Sequence, residues 1–189
     1  MRLDKTVTAA LMAMALGGAL GTVVMAEPAQ AAERPNISAA DKKFLDDTFS
    51  INQGEIMLGR LAEKRGTARP VREFARRMIT DHTKALDASR RVASTVHSRL
   101  PDAVDVPTKA LYDDLSRRSG REFDTAYLDA MVSGHEEAVR KFEIAANSGQ
   151  NAAIKDYART QLPTIKEHLN LARSAQREVQ TGVAEPQEP

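Results

Sequence analysis

Four stretches of this chain repeat apolar residues in steps of four and three, a period that helices with one buried stripe satisfy and strands do not. In the first, predicted over 39–65, the stripe is Phe44, Thr48, Ile51, Glu55, Leu58 and Ala62. Ser38 with Asp41 three residues on supplies the N-cap, and Gly66 stops the helix. Thr67 is the expected cap of the second helix, and Pro70 suits its first turn, where a missing N–H costs little. Its stripe is Val71, Ala75, Met78, His82, Ala85, Ser89, Val92 and Val96. The third, over 121–148, aligns Leu128, Met131, His135, Ala138, Phe142 and Ala145 ahead of the break at Asn147-Ser148-Gly149. The fourth, capped by Asn151, carries Ile154, Ala158, Gln161, Ile165, His168, Ala172, Ala175 and Val179, with Pro163 expected to kink it.

Short turns at 66–69 and 149–150 make two antiparallel hairpins, so the expected fold is all-α, a four-helix bundle. Between the second and third helices, 100–107 holds two prolines and two aspartates and reads as a loop. A short extra helix over 108–119 follows, ended by Gly120. This connection is long enough to cross the bundle, which favours ferritin-like connectivity over a plain up-and-down order.

At the N-terminus, Arg2 and Lys5 precede an apolar run over 6–26, then Glu27, Pro28 and the small-residue triplet Ala29-Gln30-Ala31. The pattern predicts a secretory signal peptide over 1–31, hence export to the periplasm, cell envelope or medium, with no stable membrane insertion after cleavage. The bundle then occupies 32–179, and 180–189, with Gly182, Pro186 and Pro189, reads as a disordered tail. With no cysteine, disulfides, thiolate metal sites, a cysteine nucleophile and a lipid-anchored N-terminus are all excluded. A net charge of +1 gives no field for nucleic acid, and polar faces of mixed sign argue against display to a membrane.

Three of the four histidines, His82, His135 and His168, fall in seams, and Glu55 falls in the remaining seam; His97, near the end of the second helix, reads as solvated. Counted from the hairpin turns, Glu55 and His82 differ in level by about 3 Å, His135 and His168 by about 6 Å before any correction for Pro163. A buried imidazole or carboxylate is costly without a partner. One divalent ion held by Glu55, His82, His135 and His168 satisfies all four. The alternative is a hydrogen-bonded core in which each histidine pairs with a carboxylate, and Asp81, Glu136 and Glu167 adjoin the three in sequence.

Four segments carry recognisable motifs, beginning with Gly54-Glu55-Ile56-Met57-Leu58-Gly59-Arg60-Leu61-Ala62 and Phe74-Ala75-Arg76-Arg77-Met78-Ile79-Thr80-Asp81-His82-Thr83. They continue with Gly120-Arg121-Glu122-Phe123-Asp124-Thr125-Ala126-Tyr127-Leu128, His135, Leu162-Pro163 and His168-Leu169. In these residues the chain resembles an exported bacterial ferritin-like family known as domain of unknown function 4142. The resemblance spans about 39–179 and implies an extracytoplasmic four-helix domain, associated with stress or envelope contexts, without an established activity.

Di-iron ferritins need a Glu-x-x-His pair on each of two helices, but Ile79, Val132 and Ile165 stand three residues before the histidines here. A di-iron oxidase is therefore not expected. Three imidazoles and one carboxylate suit a single Zn, Cu, Fe or Ni ion. Met78 and Met131, one turn before His82 and His135, offer thioethers to copper but read first as core packing. The expected function is non-enzymatic metal binding for envelope metal handling or stress tolerance; the competing one is a structural or protein-interaction domain with a polar core, whose protein partner the sequence does not identify.

Overall fold

The computed structural model describes residues 37–182. The predicted signal peptide and residues 183–189 of the predicted tail lie outside them. Of the described residues 85% are helical and none is in a strand. The elements are α1 (Ala39–Arg65), α2 (Arg69–Thr95), α3 (Val106–Ser116), α4 (Gly120–Ser148) and α5 (Ala152–Thr181). None of these helices is long and apolar enough to cross a membrane.

Local signals account for most boundaries. The Ser38 hydroxyl accepts the Asp41 N–H at 3.1 Å and starts α1, while the Asn151 side chain accepts from Ala153 and Ile154 and starts α5. The expected cap of α2 is different. Thr67 gives its hydroxyl to Asp124 across the bundle, so α2 begins after Ala68 with no side-chain cap. The short helix also moves upstream, because Asp105 accepts the Thr108 N–H at 2.7 Å and starts α3 at Val106. Its last turn closes when the Arg117 and Arg118 N–H groups bond back to Asp114 and Leu115, three residues earlier. Gly120 consequently opens α4 instead of ending α3, and its φ of +57° redirects the chain at that joint. α5 continues through Pro163 as one helix and extends over Gln180 and Thr181, past the expected start of the tail.

Around the bundle α1 packs on α2, α2 on α5, α5 on α4 and α4 on α1. The second and third long helices, α2 and α4, are thus diagonal, joined by the connection that carries α3 along α1 and α4. The ends fix the directions. Asp41 in the first turn of α1 accepts the backbone N–H groups of Gln150 and Asn151 at the α4–α5 turn, at 3.1 and 2.9 Å. Asp124 near the start of α4 accepts those of Thr67 and Ala68 at the α1–α2 turn, at 3.0 and 2.8 Å. Each hairpin therefore clamps the turn of the other, and the order is up, down, down, up, the crossover connectivity of ferritin-like bundles.

The interior is divided along its length. Towards the α1–α2 turn, Leu58, Met78, Leu128, Met131 and Ala172 belong to one apolar cluster. Towards the opposite end, Phe142, Tyr157 and Ile165 belong to a second. In the sequence of every long helix the polar seam residue falls between its contributions to the two ends: Glu55 on α1, His82 on α2, His135 on α4 and His168 on α5. The apolar core is interrupted between these two clusters, and the candidate site lies there.

Candidate metal centre

Helical periodicity turns the three seam histidines inward, and all are nearly inaccessible at 6%, 2% and 2% exposure for His82, His135 and His168. Their ring centroids form a near-equilateral triangle with sides of 5.9, 5.3 and 5.5 Å. The level difference counted along α4 and α5 does not separate the last two.

Each ring is held by one nitrogen. His82 Nδ1 lies 2.8 Å from Asn52 Oδ1, His135 Nδ1 lies 2.8 Å from the Met131 carbonyl, and His168 Nε2 lies 3.1 Å from Asp81 Oδ2. The Met131 carbonyl and the ionised Asp81 carboxylate only accept, so the ring nitrogens facing them carry the proton. The Asn52 amide is oriented by its own network: Ser89 donates to the Ala85 carbonyl, and its oxygen takes the Asn52 amide N–H and the Tyr157 hydroxyl. Asn52 therefore presents oxygen to His82.

The other three ring nitrogens, Nε2 of His82, Nε2 of His135 and Nδ1 of His168, are buried without a hydrogen-bond partner among the described residues. With the opposite nitrogens protonated, these three carry lone pairs. One ligand atom from each histidine lies within 4.8 Å of the other two. Three imidazoles this close, each with one nitrogen that no donor reaches, are a poor core but a good metal cradle, because partners on the opposite nitrogens fix both tautomer and orientation. An ion at about 2.0–2.1 Å from tetrahedrally placed nitrogens sets their separation at ~3.4 Å, so a closure of at most about 1.4 Å completes the geometry.

Glu55 lines the same cavity but is not a member of that group of three. Its Oε2 is buried and has no hydrogen-bond partner among the described residues, and the same holds for the Tyr127 hydroxyl. Burial pushes the Glu55 carboxyl up, against an opposing effect of His135. Burial, reinforced by Glu55, pushes the Tyr127 phenol well up. The other carboxylates adjoining the histidines do not pair with them as neighbours. Asp81 reaches His168 rather than His82, Glu136 pairs with Arg173 at 2.6 Å, and Glu167 pairs with Arg77 at 3.2 Å. Met78 and Met131 are core residues on the α1–α2 side of the histidines. Ile165, three residues before His168, is also core.

Burial, with the neighbouring imidazoles adding to it, holds the His82 pKa well below 6.5. Burial lowers that of His168 too, against the hydrogen bond that it donates to Asp81. For Asp81 burial acts upward but is outweighed by hydrogen bonds from Arg77, His168 and Lys84, which bring the carboxyl to about 2. Since His82 and His168 resist protonation in the fold, the metal-free unfolded chain takes up protons first as pH falls. Their contribution is complete above pH 6.5 and is lost below it, towards the native values. Glu55 acts oppositely: its raised pKa favours the fold below 4.5, and that contribution is lost as pH rises through the native value. Glu55→Gln removes the opposing group. In chelator-treated Glu55→Gln the thermal midpoint is expected to fall as pH drops from about 7 to about 5, and to exceed that of the parent chain at about pH 7. A midpoint independent of pH over that range would show that these imidazoles titrate normally.

Asn52 and Asp81 were not legible in the sequence as the groups that orient two of the rings. Asn52 stands as far ahead of Gly66 as His135 stands ahead of Gly149, a correspondence between the hairpins that marks it as inward.

A family model described as "Domain of unknown function (DUF4142)" matches residues 26–175, and the chain belongs to that family. No curated protein and no solved structure matches it.

Proposed function

We propose that this member of the DUF4142 family binds one transition-metal ion through His82, His135 and His168, with Glu55 as the acid that balances its charge. The observation that carries this reading is the proximity of three buried imidazoles, each with one partnerless ring nitrogen among the described residues and the opposite nitrogen tied to an acceptor. Three imidazoles select an ion of the Zn, Cu, Ni or Fe type over Mg or Ca, which prefer oxygen. With the signal peptide expected at 1–31, the ion is handled outside the cytoplasm, in envelope metal homeostasis or stress tolerance rather than in a di-iron oxidase reaction.

The test is calorimetric titration of the chelator-treated chain with Zn2+ or Co2+. Saturation at one ion per chain is expected, with no saturable uptake in the variant carrying His82→Ala, His135→Ala and His168→Ala. Uptake by that variant with unchanged affinity removes the proposal.

A second reading is favoured by the chain of bonds from Tyr157 through Ser89 and Asn52 to His82, which resembles a polar network that fixes helix register. On it the protein is an interaction domain without an ion, and every seam histidine stabilises the bundle.

A further inference from the structure

An ion needs little room, yet the space beside the three imidazoles has a volume of about 420 Å³, within the range of small-molecule pockets. It runs from the buried rings to Asp105, Pro107 and Glu137, all exposed at the surface between α1, α3 and α4. Structural sites of the zinc type are closed by a fourth protein ligand, whereas sites that work on exogenous molecules keep three and leave a position open. Here the converging group has three members.

We infer that the metal bound by these histidines keeps one coordination position open to this cavity, and that the position takes a small monoanionic oxygen or nitrogen donor beside Glu55. The inference rests on the metal-binding reading. Three neutral imidazoles leave a divalent ion with two positive charges, and an ionised Glu55 offsets one. A monoanion completes neutrality in a site where residual charge is costly. The unpartnered Glu55 Oε2 offers a hydrogen-bond partner to a ligand carrying a proton. Ile51, Leu111 and Ile165 on the cavity wall leave space for an apolar substituent on the donor.

Gly134 supports the same assignment. It lines the cavity inside α4, where glycine costs a helix about 1 kcal/mol relative to alanine. A Cβ added there meets nothing within 4 Å, so packing does not require the glycine. A larger side chain there would stand at the passage.

The experiment uses the full chain loaded with Co2+, whose visible bands report its coordination sphere, titrated with sodium azide and separately with benzoate. Saturable band shifts without loss of cobalt are expected from both anions. Gly134→Phe is expected to keep cobalt affinity within about threefold while weakening the benzoate response about tenfold or more. Glu55→Gln, which removes the balancing charge, is expected to weaken cobalt binding about tenfold while keeping the azide response. Failure to bind cobalt at all overturns both the metal-binding reading and this inference. If cobalt binds but azide leaves the bands unchanged, the open position alone is overturned. A benzoate response unaltered in Gly134→Phe overturns the cavity route, and a loss of cobalt affinity on the order of a hundredfold in Glu55→Gln makes Glu55 the fourth ligand and closes the position.

Discussion

His135→Leu is expected to abolish stoichiometric metal uptake, lowering affinity on the order of a thousandfold, and at the same time to raise the thermal midpoint of the metal-free protein. The first effect follows from removing one member of the three-histidine group. The second follows from what the native side chain leaves unsatisfied. His135 Nε2 is buried without a partner, and such a group costs about 1–3 kcal/mol. Its Nδ1 is bonded to the Met131 carbonyl, which stands one helical turn back and still accepts the backbone N–H of residue 135 in the variant. Leucine therefore strands no buried polar atom, and a gain of about 1 kcal/mol corresponds to about 2–4 °C for a domain of this size. The same substitution separates the two readings of the site. A core network held for register predicts a loss of stability in the absence of metal. Thermal unfolding of chelator-treated parent and variant, with a metal titration of each, decides between them. A clear drop in midpoint for metal-free His135→Leu would favour the network.

Asp124→Ala is expected to lower unfolding free energy by about 3 kcal/mol while leaving metal affinity unchanged. The carboxylate is 1% exposed and accepts the N–H groups of Thr67 and Ala68 and the Thr67 hydroxyl. Hydrogen bonds to a charged acceptor contribute about 1.5–3 kcal/mol each, discounted here because Thr67 is itself exposed and its donors regain water. Asp41→Ala removes the corresponding clamp at the other end, where Gln150 and Asn151 donate. The two clamps share no partner, so their losses should add within about 0.5 kcal/mol. Urea unfolding of the single and double variants measures this. A loss below about 1 kcal/mol for Asp124→Ala would mean that the turn is held by chain geometry alone.

Glycine makes those turns possible. A Cβ at Gly66 would stand 2.7 Å from the Ala62 carbonyl oxygen, and one at Gly149 would stand 2.6 Å from that of Ala145. Both hairpins use the same close approach, and each turn backbone is then capped by an aspartate from the opposite hairpin.

The boundaries of α1 and α4 were legible because Ser38, Gly66 and Gly149 act on backbone within a turn of themselves. The start of α2 was misassigned for the opposite reason: Thr67 has a local use as a cap, and a carboxylate far along the chain outcompetes it. The site divides in the same way. Periodicity identified His82, His135 and His168 as inward, since a residue's face is set by its phase along its own helix. It could not identify Asp81 as the partner of His168, because adjacent residues on α2 point about 100° apart and Asp81 faces α5.

By itself the sequence determined four amphipathic helices, two hairpins, and which polar side chains had to enter the interior, all consequences of short-range backbone geometry. Only the tertiary structure decided the crossover order that sets α2 and α4 on a diagonal, the lateral bonds that fix each imidazole tautomer, and the exclusion of Glu55 from the converging three. It also decided the cavity beside them. Those features depend on the rotation and separation of whole helices, which no single helix's residue pattern encodes.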